Sequence, residues 1–292
     1  MTRPYRSVLY IPGSKERALE KARDLAVDAI IFDLEDAVAP EEKAAARTTL
    51  GRFLAEVDYA PRARIVRING FDTSWGRDDA AAFAGHPGVE AILVPKVNGP
   101  ADLDAVAAVT GAKPLWAMME TAAGMLNAAA IAAHPRLEGM VMGTNDLAKE
   151  LGSRFRADRV PLMTGLGLCL LAAKASGRVI VDGVYNAFKD EAGLRAECAQ
   201  GRDMGFDGKT LIHPAQVEIA NAAFAPSAEE VDLARRQIEA FNAAQAQGQG
   251  VAVLDGRIVE NLHVVTAQAV LAKVEAIRAQ AMAAERIAVG AE

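Results

Sequence analysis

The chain has 292 residues, of which 51% are hydrophobic, and its formal net charge at pH 7 is -6. This length allows a large buried core, and the negative charge argues against a general nucleic-acid-binding surface. The longest apolar runs fall well short of the ~20 residues that span a bilayer, and the N-terminal MTRPYRS lacks an apolar signal segment. The composition therefore predicts a soluble cytoplasmic enzyme without nucleic-acid or membrane partners.

Eight short apolar runs recur along the first 214 residues, and each ends in a polar or charged residue. Strands that are buried on both faces of a parallel sheet read as continuous runs of this kind, and the segments between them are long enough for helices. The rhythm predicts an α/β fold, a (β/α)8 TIM barrel over residues 1–225. The runs are SVLYIP from Ser7, AIIFDLED from Ala29, RIVRING from Arg64, AILVPK from Ala91, LWAMMET from Leu115, GMVMGTND from Gly139, VIVDGV from Val179 and GKTLIHP from Gly208.

The pattern changes after the eighth run, and residues 226–292 are predicted to form a C-terminal extension. Ser227 and Glu230 have the spacing of a capping box that opens an amphipathic helix. The segment VAVLDGRIVE follows, with Asp255 and Gly256 in the turn of a predicted hairpin, and a last helix begins near Asn261. This helix-hairpin-helix extension either caps the barrel mouth or reaches a neighbouring subunit.

Catalytic groups of TIM barrels sit at the carboxyl ends of the strands, so the polar residues that close the runs form the candidate active site. These residues are Asp33, Glu35, Asp36, Arg67, Asn69, Lys96, Glu120, Asn145, Asp146, Asp182 and His213.

Glu120 and Asp146 close the fifth and sixth runs, which are neighbours in a barrel wound in sequence order. Two carboxylates completed by water and substrate oxygens suit Mg2+, which prefers oxygen ligands in near-octahedral geometry. The alternative is that each carboxylate caps a helix or pairs with a lysine such as Lys96. The four histidines are scattered without metal-binding spacing, which argues against zinc.

Arg67 closes the third run, where its planar fork could bind a carboxylate, a thioester oxygen or an enolate. The alternative is a structural ion pair with Asp33, Glu35 or Asp36. The three acids of DLED repel one another, so at least one is expected to pair with Arg67 or Lys96 and another to hydrogen-bond metal-bound water. Such an acidic setting raises a lysine pKa, so a charge-neutralising Lys96 is favoured over a Schiff base.

Three other features have simpler interpretations. His213 precedes a proline and is interpreted mainly as a structural residue. Cys169 and Cys198 lie in predicted helices without CxxC spacing, which indicates buried thiols. The basic residues after the first run, including Lys15 and Arg17, form a local patch that could hold a phosphorylated cofactor.

Taken together, the motifs resemble the citrate lyase beta-like branch of the HpcH/HpaI aldolase superfamily, in order and over nearly the whole chain. Within that branch, GTNDLAKELG and the C-terminal DGRIVENLHVVTAQ are most similar to the (3S)-malyl-CoA thioesterase group. The strings that carry the resemblance are SVLYIPGS, FDLEDAV, VRING, LVPKV, METAAGMLNA, GTNDLAKELG, VDGVYNAFKDEAG and GFDGKTLIHPAQ.

The resemblance implies a Mg2+-dependent barrel, a trimer or hexamer, that acts on short hydroxyacyl-CoA thioesters. It implies that Glu120 and Asp146 bind the metal, with Glu120 also near the substrate, and that Arg67 binds the substrate and stabilises negative charge. It further implies that Arg6, Lys15 and Arg17 lie near the coenzyme A moiety.

One position departs from the lyases of this family, which have an aspartate in a segment resembling GRLID, donated by a neighbouring subunit. Here Glu260 stands at the matching position, in GRIVE. The longer side chain shifts the carboxylate by roughly 1 Å, which can cost about a hundredfold in a proton transfer. It could instead activate a water beside the thioester, in its own or a neighbouring subunit. The alternative is an exposed acid that opens the last helix.

These inferences predict hydrolysis of malyl-CoA to malate and free coenzyme A. One alternative is a malyl-CoA or citramalyl-CoA lyase, which yields acetyl-CoA with glyoxylate or pyruvate. A second is a citrate lyase beta-type subunit that works only with an acyl carrier protein.

Overall fold

The computed structural model describes residues 3–290 of the chain, with side chains described to residue 287. Eight parallel strands close into a barrel in sequence order, and β8 pairs with β1 to complete the ring. Each predicted run forms one strand, which confirms the TIM barrel. The strands are β1 Ser7–Pro12, β2 Ala29–Asp33, β3 Ala63–Arg67, β4 Ala91–Val94, β5 Leu115–Met119, β6 Leu137–Met142, β7 Val179–Asp182 and β8 Gly208–Leu211.

Helices follow the strands, as the right-handed crossover between neighbouring parallel strands requires. Short 3-10 turns at Pro40–Glu42, Val160–Leu162 and Pro214–Gln216 lead into three of them. The helices are α1 Glu16–Ala22, α2 Lys43–Glu56, α3 Gly76–Ala84, α4 Pro100–Thr110, α5 Ala122–Leu126, α6 Ala128–Ala132, α7 Thr144–Glu150, α8 Met163–Ala175, α9 Glu191–Met204 and α10 Val217–Phe224.

Alternate residues of each strand face opposite sides of the barrel wall and build two cores. On β2, Ile31 belongs to the cluster inside the barrel, whereas Ile30 and Phe32 belong to the cluster beneath the helices. Trp116 of β5 is among the largest side chains of the inner cluster and is 1% exposed. Because apolar residues fill most of the interior, the acids and the arginine that end β2, β3 and β7 are found at the carboxyl ends of the strands.

Contacts divide the chain into two compact units: Tyr5–Phe224, which is the barrel, and a second unit formed by the residues from Ala225 onward with those before Tyr5. The second unit contains α11 Ala228–Ala246, the strands β9 Ala252–Leu254 and β10 Arg257–Val259, and α12 Asn261–Gly290. β9 and β10 form an antiparallel hairpin.

The capping box and the hairpin turn that were predicted in this segment are both present. Ser227 and Glu230 form the capping box of α11. Asp255 and Gly256 connect the hairpin with φ angles of 48° and 73°, as a tight turn between two antiparallel strands requires. Phe241, Val259 and Val264 pack into a small core of this unit. Among the described residues, no helix is long and apolar enough to cross a membrane.

Candidate active site

A cavity of about 280 Å³ opens at the carboxyl ends of the strands. It draws residues from the ends of at least six strands and the loops that follow them, and we call it the mouth cavity. Its polar lining includes most of the predicted site, with both proposed metal ligands and the arginine. The charged residues that line it are Asp33, Asp36, Arg67, Glu120 and Asp146.

Glu120 follows β5 directly and is 1% exposed. Its Oε1 accepts a hydrogen bond of 2.8 Å from the backbone N–H of Lys96. Burial, and then the charge of the neighbouring Glu35, raise the pKa of Glu120 to about 7. In the described part of the chain no hydrogen bond to Oε2 is found, so half of this carboxylate is left for another group.

Asp146 lies in the first turn of α7, four residues beyond the end of β6, rather than at the strand end itself. Its side chain is half-buried and lines the mouth cavity. Within residues 3–287, its carboxylate has no hydrogen bond or ion pair. A carboxylate without a partner, in the same cavity as a buried acid, is a suitable ligand for a cation.

Gly143 makes room for this arrangement. It lies between β6 and α7, and its N–H donates to the carbonyl of Met119 over 2.8 Å. A Cβ at this position would lie 2.5 Å from Glu120 Oε2. The glycine is therefore required by the close approach of Glu120 to the backbone that connects β6 to α7, the helix that carries Asp146.

The mouth cavity suits a divalent cation. Among the side chains that the structure describes, one oxygen of Glu120 and the carboxylate of Asp146 have no partner, and the pKa of Glu120 is raised, so a bound cation would favour both. No group of three or more His, Cys, Asp or Glu side chains able to hold a metal forms among the described residues. The protein would thus supply two carboxylates, and water or substrate oxygens would complete the coordination, as Mg2+ prefers.

Arg67, the last residue of β3, is 6% exposed and is held rigidly. Its Nε and Nη2 each donate to one oxygen of Asp33 at 2.7 Å, and its guanidinium lies 4.9 Å from the centre of the Tyr10 ring. Burial alone would raise the pKa of Asp33, but the Arg67 guanidinium lowers it below its usual value. Arg67 therefore forms the predicted ion pair and also lines the cavity.

Glu35 connects Arg67 to Lys96. Its Oε1 accepts from Lys96 Nζ at 2.8 Å, and its Oε2 lies 2.9 Å from Arg67 Nη1 as an ion pair outside hydrogen-bond geometry. Asp36 is 3.4 Å from the same Nη1. Burial alone would lower the pKa of Lys96, but the hydrogen bond to Glu35 and the charge of Glu35 raise that pKa above its usual value. A raised pKa is the opposite of what a Schiff-base lysine needs.

Arg6 lies at the opposite end of the barrel from the mouth cavity. It immediately precedes β1, and its guanidinium and backbone N–H bind the carboxylate of Asp28, which immediately precedes β2, at 2.7 to 2.9 Å. Because the strands are parallel, this pair lies at their amino ends, away from the mouth cavity. Arg6 is a structural partner of Asp28 at this end of the barrel, and its contact with coenzyme A stays a prediction.

Lys15 and Arg17 do lie at the mouth end, after β1. Both are exposed, and Lys15 Nζ makes a long ion pair of 3.7 Å with Glu42. The structure thus leaves these two cations accessible, and their contact with coenzyme A stays a prediction.

Three other predicted residues have structural contacts. Asn69 donates to the carbonyl of Leu34 and to Asp79. Asp182, at the end of β7, forms buried ion pairs with Arg159 and Lys209. His213 caps the turn Pro214–Gln216 and stacks on Phe188 with ring centres 4.6 Å apart. Cys169 and Cys198 are buried free thiols, as predicted.

Glu260 belongs to the second unit and immediately precedes α12. Its backbone N–H donates to His263 Nδ1 at 3.0 Å, and its carbonyl accepts from the N–H of His263. The side chain is exposed, and its carboxylate has no partner among the described residues. Its local setting is that of a helix-opening acid, and its role in proton transfer stays a prediction.

The sequence analysis missed several residues of the cavity wall. Tyr10 contacts Arg67, and its hydroxyl points to the sulfur of Met118 at 3.4 Å. Asn186 lies in the loop after β7 and hydrogen-bonds Asn145. Alternation along the strands could have found Tyr10, since it lies two residues after the inward-facing Val8. No comparable signal marks Asn186, because its loop has no periodic structure.

The fold and the site together define a TIM-barrel enzyme with a two-carboxylate candidate metal site and a fixed arginine beside it. The chain belongs to the HpcH/HpaI aldolase/citrate lyase family, whose model matches residues 6–214. That range covers nearly the whole barrel unit, so the match includes each residue of the candidate metal site.

Three relatives extend the comparison. A (3S)-malyl-CoA thioesterase of Cereibacter sphaeroides is 72% identical, over 94% of this chain and 96% of its own. An L-malyl-CoA/beta-methylmalyl-CoA lyase of the same species is 34% identical, over 95% and 96%. The crystal structure of CitE from Mycobacterium tuberculosis with magnesium, acetoacetate and coenzyme A has a TM-score of 0.78 at 32% identity, over 92% of this chain and 97% of its own.

Proposed function

We propose that this protein hydrolyses (3S)-malyl-CoA to malate and free coenzyme A, with Mg2+ as its cofactor. The observation that carries the proposal is the 72% identity to a (3S)-malyl-CoA thioesterase over 94% of the chain. The sequence identity to the lyase relative is 34%, which is less than half of that value. The mouth cavity supports the reaction class, because it combines two carboxylates for a cation with an arginine fixed beside them.

Glu120 and Asp146 would hold the cation. When bound, Mg2+ would supply a positive charge that orients the malyl oxygens and offsets negative charge as it develops. This role requires Glu120 to be ionised, although its pKa without metal is raised to about 7. Lys96 helps to position Glu120, because its backbone N–H donates to the Glu120 carboxylate. The side chain of Lys96 is itself held by a hydrogen bond to Glu35.

Arg67 would polarise the thioester oxygen. Asp33 accepts from Nε and Nη2 of Arg67, and Glu35 and Asp36 lie near Nη1. One N–H of Nη2 is left without a protein partner among the described residues. Because the guanidinium is already fixed, it can stabilise an oxyanion without reorganising.

In the reaction, a water oxygen bonds to the thioester carbon, and the carbon–sulfur bond then breaks. The sulfur leaves as a thiolate, which takes up a proton and becomes free coenzyme A. We propose that Glu260 accepts the proton from the attacking water. Glu260 would come from the same chain as the site or from a neighbouring copy in a homo-oligomer, which we propose to be a trimer or hexamer. Lys15 and Arg17 are the proposed contacts for coenzyme A phosphates, and the predicted cytoplasmic location is part of the same proposal.

Purified protein with (3S)-malyl-CoA and Mg2+ tests the proposal, with a thiol reagent to detect coenzyme A and an enzymatic assay for malate. We expect equal amounts of malate and thiol, and little glyoxylate. Glyoxylate and acetyl-CoA as the main products would instead establish the lyase reaction, which the same cation and arginine could serve. Failure to act on free CoA esters until an acyl carrier protein is added would favour a citrate lyase beta-type subunit.

The role of Glu260 is tested separately. Glu260→Gln should remove most of the thiol release and leave the thermal unfolding midpoint unchanged, because the side chain is exposed. Glu239→Gln, an exposed acid on α11 of the same unit, is the matched control and should retain full activity. Equal activity of the two variants would contradict the assignment of Glu260.

A further inference from the structure

Asn145 and Asn186 form a reciprocal amide pair on the wall of the mouth cavity. Asn186 Nδ2 donates to Asn145 Oδ1 at 2.8 Å, and Asn145 Nδ2 donates to Asn186 Oδ1 at 3.3 Å. Asn145 is the second residue of α7, next to the proposed ligand Asp146, whereas Asn186 lies in the loop after β7. The pair therefore connects the start of α7 to the loop after β7, both at the barrel mouth.

A second cavity of about 360 Å³ adjoins the mouth cavity, and we call it the side cavity. The two cavities share four lining residues: Thr144, Asn145, Val184 and Asn186. The rest of its lining is half polar and half apolar, with Arg159, Tyr185 and Glu197 among the polar residues. A space of this size with charged and hydroxyl groups in its walls can hold several waters, since one water occupies about 30 Å³ in the liquid. The amide pair lies where this space meets the mouth cavity.

Each amide retains unused hydrogen-bonding capacity. An asparagine side chain has two N–H donors and an oxygen with two lone pairs, and the reciprocal pair uses one donor and one lone pair of each. One donor and one lone pair thus remain on both residues. A water molecule both donates and accepts, so this remaining set matches it.

Few other neutral groups of the mouth cavity could orient a water. Apart from this pair, the neutral polar side chains that line it are Tyr10 and Thr144. The Tyr10 hydroxyl is directed to the sulfur of Met118, and Thr144 is 7% exposed. The amide pair, in contrast, is exposed.

The segment after β7 packs closely against the start of α7. A Cβ on Gly183 would lie 2.7 Å from Thr144 Cγ2 and 3.0 Å from the carbonyl oxygen of Met142. Gly183 follows β7, and Thr144 is the first residue of α7, so only a glycine allows the two segments to approach this closely. The amide pair is thereby fixed in position relative to Asp146.

We propose that the Asn145–Asn186 pair receives water from the side cavity and orients it for attack on the thioester in the mouth cavity. This inference rests on the proposed hydrolase function and deepens it, since it identifies how the site admits the water that a lyase must exclude. The attacking water then donates its proton to the proposed base, and the carbon–sulfur bond breaks as described above.

The test uses the full-length protein and the variants Asn145→Leu, Asn186→Leu and the double variant, because leucine keeps the size of asparagine and removes both polar atoms. Each single change should lower kcat for thiol release by about 10- to 100-fold, since a misplaced reactant costs about this much. KM for malyl-CoA and the Mg2+ concentration for half-maximal activity should change less than about threefold. Because the residues act as one unit, the double variant should be no more than about threefold slower than the slower single variant.

Asn127→Leu is the matched control. This exposed asparagine at the start of α6 donates to the carbonyl of Asn98 at 2.7 Å but does not line the mouth cavity. The control should keep wild-type kcat, and all variants should unfold within a few degrees of wild type.

Wild-type kcat in Asn186→Leu would overturn the inference, as would a raised KM with unchanged kcat, which would identify a substrate contact instead. Multiplicative losses in the double variant would likewise exclude a single water-orienting unit. If wild-type protein releases no thiol from malyl-CoA, the proposed function itself fails and the inference fails with it.

Discussion

The substitution Gly143→Ala tests whether the space beside Glu120 is needed for the metal site. Gly143 has a φ of -98°, so its backbone does not require glycine, and only the missing side chain matters. An added Cβ would clash most closely with Glu120 Cβ, and it would lie 2.5 Å from Glu120 Oε2 and 3.1 Å from Met118 Cε. Ordinary contact needs about 3.5 Å, so the whole Glu120 side chain, including its stem, must move by about 1 Å.

A displacement of this size should weaken Mg2+ binding and lower kcat/KM by about a hundredfold. The overpacked site should also cost about 1–3 kcal/mol in the free energy of unfolding. Calorimetric titration measures the affinity for Mg2+, and steady-state thiol release measures kcat/KM. Urea unfolding measures the free energy of unfolding.

Gly167→Ala provides the control. Gly167 lies inside α8 with no heavy atom within 4 Å of an added Cβ, so alanine should stabilise the helix by about 0.5–1 kcal/mol and leave catalysis unchanged. Wild-type Mg2+ affinity and activity in Gly143→Ala would refute the reasoning, because Glu120 would then be uninvolved or free to move without consequence.

Three further predictions concern the same cavity. Glu120→Gln or Asp146→Asn should abolish turnover, and EDTA should inactivate the wild type reversibly; full activity in excess EDTA would exclude a required metal. Because the pKa of metal-free Glu120 is raised to about 7, protons compete with Mg2+ at lower pH, and the apparent affinity measured by calorimetry should fall about tenfold per unit below pH 7. A pH-independent affinity between pH 5 and 7 would contradict that raised pKa. Arg67→Lys loses the two 2.7 Å bonds to Asp33, so it should lower kcat more than it raises KM, and a change in KM alone would indicate ground-state binding.

The barrel could be predicted from the sequence because most of the buried strands are apolar runs followed by a polar residue, although β8 contains Lys209 and Thr210. Part of the site follows from the same physics. On β2, β3 and β5 the inward-facing residues Ile31, Ile65 and Met118 each lie two positions before Asp33, Arg67 and Glu120. Period-two alternation therefore carries these polar side chains to the carboxyl end of the barrel interior.

Other parts of the site could not be predicted, since they depend on contacts between distant segments. Arg6 is basic and close to β1, but only the pairing of β1 with β2 brings it to Asp28 at the amino end. Asn186 becomes part of the cavity wall because its loop meets the first turn of α7 at Asn145. The raised pKa of Glu120 likewise depends on how deeply the folded chain buries it beside Glu35.

Hydrolysis of (3S)-malyl-CoA in water enriched in oxygen-18 tests the central claim most directly. If water attacks the thioester carbonyl, the malate formed by the purified protein and Mg2+ should carry one heavy oxygen from solvent in the new carboxylate, with one free thiol per malate. Acetyl-CoA and glyoxylate as the main products, with no labelled malate, would contradict the account.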